Sequence, residues 1–471
     1  MSTLRRLEDE ILSADKLQRD GTPSASIAIL EDGAISTHII SNGSEDAETI
    51  YQCGSISKAI TAMGVARMVD LGHLSYDTKI VDVLPAHKPS AFLEPQSVHL
   101  LDLVTVRMLI THTSGLTQPY EQGHPRDVET LPTKEQSIQG HSSTNLIRLQ
   151  FGSLPGAQLL YCSGSFTLLE IAMEHITGKT FAELMQELVM RPLGMQRTFY
   201  GDLPDDEKNF TKPYLNGFQP TPIGVHRFTE LAAVGLWSTP TDLLKLVSAI
   251  QQSIHSEGGF LKPATAHEIL ISGAVTFRSG AAQHRCGLGW YSTFTTFAHR
   301  GANPGYHSYV FGFFDQADLS LHRSGFSIMT NSLLGLESIR PIFSAMLYLK
   351  GWPRQKLMPS SLGVDDYVPF AAPEGTEIDE AWREWKGQWD HDWSLLEVQG
   401  QPALQLKDLP PVKLLPAAAP VQTFDDNNTN TEIILVADGL SATAIRLTWA
   451  DNDRIIELLQ LAKTVLKKRL S

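Results

Sequence analysis

The order of apolar and polar residues along the chain predicts two strands first, then a helix-rich block, then strands again. Residues 24–30 and 35–40 have strand character and flank Glu31, Asp32 and Gly33, which are typical of a hairpin turn. Further strands are predicted over residues 286–291, 295–300, 308–314 and 326–330. Helices are predicted over residues 4–17, 59–70, 80–84, 106–116, 145–151, 167–176, 181–190, 243–254, 263–271 and 336–349.

This order of elements favours an α/β (α+β) fold, in which an antiparallel sheet is completed from both ends of the chain around an inserted helical region. Pro341 is expected in the first turn of the helix over residues 336–349. Residues 117–140 are polar and irregular and contain three prolines. A loop of this length in a compact domain is often a wall or lid over a functional site.

A change of composition near residue 359 divides the chain. Residues 359–375 are rich in Pro, Gly and Ser, and tryptophans then crowd together at Trp382, Trp385, Trp389 and Trp393. Strands are predicted over residues 395–398, 403–406, 432–437 and 444–449, followed by a helix over 454–470. We therefore predict a main domain over residues 1–358, a linker over 359–377 and a smaller β-rich domain over 378–471 that ends in a helix.

Charge and composition exclude several classes of function. The 471 residues carry a formal net charge of −14, and no long basic run precedes residues 467–469, so we expect no nucleic-acid partner. Residues 1–10 lack the apolar core of a signal peptide, and no apolar stretch approaches the roughly 18 residues of a membrane span. We therefore expect a cytoplasmic protein without membrane contact. Since no metal or nucleotide motif is convincing, we also expect no metal and no cofactor.

A serine and a lysine three residues apart stand where the helix over residues 59–70 is expected to begin. Ser55 and Lys58 would share one face of that helix. A serine hydroxyl is a poor nucleophile until a neighbour takes its proton, and a lysine held away from bulk water can do so. A helix start also presents free backbone N–H groups. The same pattern fits an ordinary helix with a serine N-cap, because Ser-x-x-Lys often occurs by chance.

Two later motifs distinguish between these interpretations. They are Tyr161-Cys162-Ser163 and His299-Arg300-Gly301. Together with Ser55 and Lys58, their order and separation resemble the serine β-lactamase and penicillin-binding-protein family, on the side of the class C β-lactamase-related esterases and transacylases. Supporting stretches lie at residues 109–116, 192–195, 235–239 and 287–290. The resemblance covers roughly residues 23–350 and implies a β-lactamase/transpeptidase-like fold.

The resemblance implies a role for each motif. Ser55 is expected to attack a carbonyl carbon and form an acyl-enzyme, with Lys58 and Tyr161 carrying protons. The backbone N–H groups of Ser55 and Ala302 would form the oxyanion hole. Gly301 would let the substrate lie close to its strand, since no side chain intervenes. Further substrate contacts are expected from Ser163, His299 and Trp237.

Two departures from the family pattern narrow the expected substrate. The β-lactamases carry Lys-Thr-Gly at the third motif, whereas a histidine there, as in His299, is familiar in esterases and aminopeptidases. His299 is expected to hydrogen-bond Tyr161 or the substrate, and Arg300 to point to the other face of its strand. Asn is usual where this chain has Ser163, which is too short to pair with both the donor and the acceptor of an amide. This difference favours an ester or thioester.

We therefore expect a serine acyl hydrolase or acyltransferase that acts through a Ser55 acyl-enzyme on a small-molecule ester or thioester. Such an esterase, thioesterase or transesterase could serve natural-product metabolism, and its substrate could be a carrier-bound thioester. One alternative is a β-lactamase or D-amino-acid peptidase or amidase. Another is a non-catalytic scaffold with the same fold. The acyl group, its acceptor and the oligomeric state stay open.

Overall fold

The computed structural model places most of the chain. It describes residues 13–41, 43–86, 92–93, 97–118, 123–144, 146–152, 154–156, 159–215, 220–222, 224–272, 275–279, 282–293, 295–314, 321–353, 376–389, 393–406, 411–416, 433–437, 444–450, 453–459 and 464–466. None of the described helices is both long enough and apolar enough to cross a membrane.

Most described helices lie between residues 56 and 267, after the N-terminal hairpin and before the later strands of the first sheet. They are α1 (Ala14–Arg19), α2 (Ile56–Asp70), α3 (Val106–Ile110), α4 (Lys134–Gln139), α5 (Gly164–Thr177), α6 (Phe181–Met185), α7 (Arg191–Leu193), α8 (Leu231–Val234), α9 (Pro240–His255), α10 (Pro263–His267) and α11 (Gly335–Leu349). Short 3₁₀ helices lie at Ile80–Asp82, Val98–Leu103 and Glu380–Trp385, and π-helical turns at Gln186–Met190 and Glu268–Ser272.

The described strands form two eight-stranded sheets, one three-stranded sheet and two strand pairs. Those up to residue 330 are β1 (Ser24–Glu31), β2 (Ala34–Ser41), β3 (Tyr51–Gln52), β4 (Leu116–Thr117), β5 (His124–Pro125), β6 (Gln150–Phe151), β7 (Phe199–Tyr200), β8 (His226–Arg227), β9 (Leu236–Ser238), β10 (Val275–Ser279), β11 (Ala282–Cys286), β12 (Tyr291–Ser292), β13 (Thr296–Asn303), β14 (Tyr306–Phe313) and β15 (Gly325–Thr330). The later ones are β16 (Gly387–Trp389), β17 (Trp393–Val398), β18 (Gln401–Leu406), β19 (Val412–Pro416), β20 (Ile433–Ala437), β21 (Ala444–Ala450), β22 (Asp453–Leu459) and β23 (Thr464–Leu466).

The first sheet joins the N-terminal hairpin, which ends at Ser41, to strands that begin at Val275. Its strand order is β10-β11-β12-β13-β14-β15-β1-β2, and every neighbouring pair is antiparallel. In the pairing of β1 with β15, Ile27 lies opposite Ile328, and both side chains are buried. The α/β (α+β) fold with one antiparallel sheet completed from both ends of the chain is therefore confirmed.

Helix α2 runs through the core of this part of the chain. Twelve of its 15 residues are buried, which is the pattern of a helix surrounded by protein rather than of an amphipathic surface helix. Gly64 permits a close contact in the middle of α2, since a Cβ there would lie 2.5 Å from the sulfur of Met185. A buried helix gives the residues at its start little freedom to move.

Besides the strand predicted over residues 286–291, whose residues 287–290 instead join β11 to β12, three local expectations were wrong between residues 117 and 349. The stretch predicted as a helix at 145–151 contains β6, which pairs with β4. The region expected to be irregular contains α4, whose capping box is formed by Thr133 and Gln136. Pro341 is the seventh residue of α11 and lies inside it rather than in its first turn. In the first two cases, pairing and capping partners outweighed the local pattern.

The chain divides into two compact units, residues 21–335 and residues 1–20 together with 336–471. In the second unit, β16 to β23 form a sheet in which every strand pairs with the next one along the chain. Trp382, Trp385 and Trp389 are buried in its apolar core together with Leu395 and Leu404. The predicted boundaries at residues 358 and 377 stay a prediction, because residues 354–375 lie outside the described part.

The last predicted helix was also wrong. Residues 453–459 form β22, which pairs along its whole length with β21, and residues 464–466 form β23. The apolar run in this segment fits either a short strand or a helix, and its pairing with β21 decides between them. The smaller unit is β-rich as expected, but its final described element is a strand.

Candidate active site

Ser55 precedes the first turn of α2, and 7% of its surface is exposed. The preceding Gly54 has a φ of +53°, a conformation that residues with a Cβ rarely adopt. Hydrogen bonds hold this turn on both sides. The Cys53 N–H donates to the Leu236 carbonyl at 2.9 Å, and the Ser57 hydroxyl donates to the Gly54 carbonyl at 2.6 Å. The position of Ser55 is therefore set by the conformation and the hydrogen bonds of this turn.

The Lys58 side chain is fully buried beside this serine. Its Nζ donates to Ser55 Oγ at 3.3 Å and to the carbonyl oxygen of Ala233 at 2.9 Å. It also lies 5.0 Å from the ring centre of Tyr161 and 5.8 Å from that of Phe166, within the range of cation–π attraction. These contacts compensate for the loss of water around a buried ammonium group.

Tyr161, from the second motif, also contacts the Ser55 hydroxyl oxygen. Its hydroxyl lies 2.8 Å from Ser55 Oγ, a distance at which a proton can pass between two oxygens. The two residues are 106 positions apart in the sequence. The structure therefore brings the three predicted residues Ser55, Lys58 and Tyr161 together at a single hydroxyl group.

The third motif lies on β13, directly against the Ser55 turn. A Cβ on Gly301 would lie 1.8 Å from the carbonyl oxygen of Cys53, and a Cβ on Gly54 would lie 2.4 Å from the backbone nitrogen of Ala302. Both distances are far shorter than any real contact of a Cβ. The Ser308 hydroxyl donates to the same Cys53 oxygen at 2.8 Å. The backbone of Ala302 is thus held beside the residue that precedes Ser55.

His299 is buried two residues before Gly301 on the same strand. Its Nδ1–H donates to the Arg300 carbonyl at 2.8 Å, which leaves Nε2 as an acceptor. Burial, assisted by the charge of Lys58, lowers the pKa of His299 to about 3. The hydrogen bond expected from His299 to Tyr161 is not formed, because the His299 ring proton is donated to Arg300 and the Tyr161 proton to Ser55. Arg300 is half-buried between two buried neighbours, as alternation along a strand requires.

A cavity of about 10 Å³, the size of one water-sized sphere, lies beside Lys58. His112 and His299 contribute to its lining. Burial holds the pKa of His112 well below its usual value, and the charge of Lys58 lowers it further. Both imidazoles are therefore uncharged at neutral pH and add no positive charge next to the lysine.

A buried carboxylate supports the carbonyl group that holds Lys58. Glu170 on α5 is fully buried, and its Oε2 accepts a 2.8 Å hydrogen bond from the N–H of Ala232. The next residue, Ala233, supplies the carbonyl that binds Lys58 Nζ. Lys134 of α4 lies 2.9 Å from the other oxygen of Glu170 and 2.6 Å from Glu174. Helix α4, in the region expected to be a loop, is thereby bound through Lys134 to the residue that holds the Ala232–Ala233 segment beside Lys58.

Ser163 and Trp237, from which substrate contacts are expected, are both buried. Ser163 precedes α5 and is 1% exposed, and its hydroxyl forms no hydrogen bond within the described part of the chain. Trp237 is 2% exposed and packs against Phe199, Phe210 and Tyr306. Trp237 thus belongs to a small apolar cluster, and the substrate contacts expected from both residues stay predictions.

Glu170 and His112 carry no sequence signal that separates them from ordinary buried residues, although His112 lies in one of the stretches that resemble the family. Their importance is visible only from their contacts. Among the residues that the structure places, no group of three His, Cys, Asp or Glu side chains could hold a metal ion.

The antiparallel sheet packed beside a buried helix with a serine at its start is the fold of the serine β-lactamases and penicillin-binding proteins. The chain belongs to the beta-lactamase family, whose model matches residues 5–343. In fold, it is similar to the octameric penicillin-binding protein homologue from Pyrococcus abyssi, with a TM-score of 0.57 and 17% identity over 98% of this chain and 99% of that one.

Relatives with curated names differ in their activities. The D-alanyl-D-alanine-carboxypeptidase/endopeptidase AmpH of Escherichia coli (strain K12) is 28% identical over 200 residues, which are 42% of this chain and 48% of that one. Esterase EstB of Burkholderia gladioli is 27% identical over 275 residues, or 52% and 65% of the two chains. The matches therefore span between about half and two thirds of these relatives, and they leave the specific reaction open.

Replacement of Gly301 by alanine should displace β13 from the Ser55 turn, because the new Cβ would overlap the Cys53 carbonyl. We expect a loss of stability of about 1–3 kcal/mol, as for other overpacked sites. We also expect at least about 100-fold slower labelling of Ser55 by a fluorophosphonate, since a shift of about 1 Å can have that effect. Gly152→Ala is the control, because its nearest neighbour would be the Thr117 methyl group at 3.0 Å. Normal stability and labelling of the Gly301 variant would show that the strand can move away without consequence.

Burial of Glu170 should make the stability of the protein depend on pH. Burial raises its pKa from the ordinary 4.5 to about 7, and the smaller attraction of Lys134 opposes this rise. The folded state therefore binds the proton more tightly than the unfolded state. The resulting stabilisation is complete below about pH 4.5 and is lost as the pH rises to about 7, by up to roughly 3 kcal/mol.

Urea unfolding of wild type and Glu170→Gln between pH 4.5 and 8 measures this dependence. Glutamine keeps an acceptor for the Ala232 N–H but cannot titrate, so the difference in unfolding free energy between the two proteins should change across this range. Glu174→Gln removes the partly exposed carboxylate that faces the same lysine. Its unfolding free energy should change with pH as steeply as that of wild type. If the unfolding free energies of wild type and Glu170→Gln changed equally with pH, the raised pKa assigned to Glu170 would be refuted.

Proposed function

We propose that the protein is a serine acyl hydrolase or acyltransferase with Ser55 as its nucleophile. The observation that carries this proposal is that Ser55 Oγ lies 2.8 Å from the Tyr161 hydroxyl and 3.3 Å from Lys58 Nζ. Two proton carriers at hydrogen-bond distance are what a serine needs in order to attack a carbonyl carbon. A scaffold without catalysis would not need the buried Lys58 at this position.

The reaction proceeds through two acyl transfers. In the first, the pair starts as a Lys58 ammonium beside a Tyr161 phenolate, and Ser55 Oγ bonds to the substrate carbonyl carbon while its proton passes to the Tyr161 oxygen. The bond to the leaving oxygen or sulfur then breaks, and Tyr161 supplies the proton that the leaving group takes. In the second, water or an acceptor alcohol gives its proton to the same pair and bonds to the acyl carbon, and Ser55 recovers its proton as it leaves.

The oxyanion of each tetrahedral intermediate is bound by the backbone N–H groups of Ser55 and Ala302. This assignment is supported by the close approach of Ala302 to Gly54 and by the position of Ser55 at the start of α2. His299 contributes an uncharged acceptor, Nε2, on the same strand. An uncharged imidazole can accept a hydrogen bond from a substrate hydroxyl group or amide N–H without competing with Lys58 for the proton.

An ester or thioester is the preferred substrate class. The residue that would pair with an amide side chain is Ser163, and its hydroxyl is buried. The similarity to esterase EstB supports this preference. We extend the proposal to acyl groups that are carried as thioesters and to a role in natural-product metabolism. The second candidate is hydrolysis of β-lactams or D-amino-acid amides, which is favoured by the similarity to AmpH.

Two substitutions test the roles of the central residues. Ser55→Ala should abolish turnover of p-nitrophenyl esters and acylation of the protein. Tyr161→Phe should lower kcat by at least about 100-fold, as expected for lost general acid–base catalysis. Tyr214→Phe removes a half-buried phenol hydroxyl elsewhere in the same unit and should have no effect. A Tyr161→Phe variant with nearly normal kcat would refute the role assigned to that residue.

A substrate panel tests the reaction class. Wild type and Ser55→Ala are incubated with p-nitrophenyl esters, N-acetylcysteamine thioesters, nitrocefin and a D-alanyl p-nitroanilide, and the acyl-enzyme is identified by intact-mass spectrometry. We expect acylation of Ser55 by esters and thioesters. Rapid hydrolysis of nitrocefin or the D-alanyl amide with inert esters would establish the second candidate instead. Failure of a fluorophosphonate to label Ser55 in the folded protein would favour a non-catalytic scaffold.

A further inference from the structure

His112 binds the chain on both sides of Tyr161. Its carbonyl oxygen accepts the N–H of Leu160 at 2.7 Å, and its ring Nδ1 accepts the N–H of Cys162 at 3.2 Å. The two donors are the residues immediately before and after the tyrosine. One residue therefore fixes the backbone from which the phenol extends to Ser55.

The ring of His112 also contacts the phenol ring itself. The ring centres of His112 and Tyr161 are 4.3 Å apart and the planes are tilted by 34°. The centre of the Phe166 ring lies 5.5 Å from that of His112. His112 is only 3% exposed. Contact with both the backbone and the ring of Tyr161 limits the movement of its hydroxyl relative to Ser55 Oγ.

The backbone of His112 has an uncommon conformation. Its φ of +57° lies in the left-handed region, which residues with a Cβ seldom occupy, although histidine and asparagine do so more often than most. The neighbouring Thr113 holds it in place, since its N–H donates to the Met108 carbonyl at 2.9 Å. This conformation lets the carbonyl and the ring of His112 bind the same short segment.

We propose that His112 is a positioning residue for Tyr161, which acts by accepting the N–H groups on both sides of it and by packing against its ring. The proposal rests on the catalytic role proposed for Tyr161. It also assigns the tautomer of the imidazole. Because Nδ1 accepts a hydrogen bond, the single ring proton is on Nε2. His112 itself transfers no proton to or from the substrate.

Three substitutions separate positioning from general support of the fold. His112→Asn keeps an acceptor near the place of Nδ1 and tolerates the left-handed backbone. His112→Leu keeps bulk but removes the acceptor. His112→Gly removes the side chain while leaving the backbone unstrained. We expect kcat to fall by at least about 10-fold in the Leu and Gly variants with little change in KM, and Asn to recover most of the loss.

A double-mutant cycle decides whether the effect passes through the tyrosine. In the Tyr161→Phe background, His112→Leu should cause less than about a threefold further loss of kcat, because the positioned hydroxyl is already absent. Equal losses of kcat in the two backgrounds, or no rescue by Asn, would overturn the proposal. Thermal unfolding of each variant identifies any that fails to fold, and if His112→Leu does so the cycle is completed with His112→Gly.

An NMR measurement gives a result that is independent of activity. In protein labelled with ¹⁵N-histidine and assigned by comparison with His112→Asn, His112 should keep its proton on Nε2 between pH 5 and 8. A proton on Nδ1, or titration in that range, would overturn the proposal even in a fully active enzyme. If wild type acylates no substrate and no fluorophosphonate labels it while His112 shows the expected tautomer, the proposed function fails and the contact of His112 with the Tyr161 segment stands.

Discussion

The arrangement of the site depends on one close contact between backbone segments. Strand β13 passes against the turn before α2 at a distance that leaves no space for a side chain on Gly301. The Ser308 hydroxyl binds the same Cys53 carbonyl from the neighbouring strand, so the turn is joined to the sheet by both packing and a hydrogen bond. Because the turn leads directly into α2, this contact sets the distance from the sheet to Ser55 and, through the helix, to Lys58.

A fully buried lysine imposes the second constraint. An ammonium group without water requires acceptors, and a carbonyl used for this purpose must be held in place. Ala233 supplies the carbonyl, and the N–H of the residue before it is bound by Glu170. Glu170 in turn faces Lys134 on α4. A series of polar contacts thus extends from a short surface helix to the centre of the site, and each buried group in it has a partner.

Much of the main fold could be predicted from local pattern. The hairpin at residues 24–41, the helix that begins after Ser55 and the strands that follow residue 295 lie close to where the local pattern predicts them. The errors fall where the pattern is ambiguous. Residues 150–151 became a strand because β4 offers a partner, and residues 453–459 did so because β21 pairs with their full length. Neither partner can be recognised from the segment itself.

The sequence by itself determined the kinds of residue at the site and their order along the chain, because Ser55, Lys58, Tyr161 and Gly301 stand in motifs whose chemistry is local. Only the tertiary structure decided which of the predicted contacts exist. It joins Ser55 and Tyr161 and buries Ser163 and Trp237 away from solvent. It also brings His112 to the chain on both sides of Tyr161. The physical reason is that hydrogen bonds and close packing depend on distances between segments, and these are set when the sheet closes on α2.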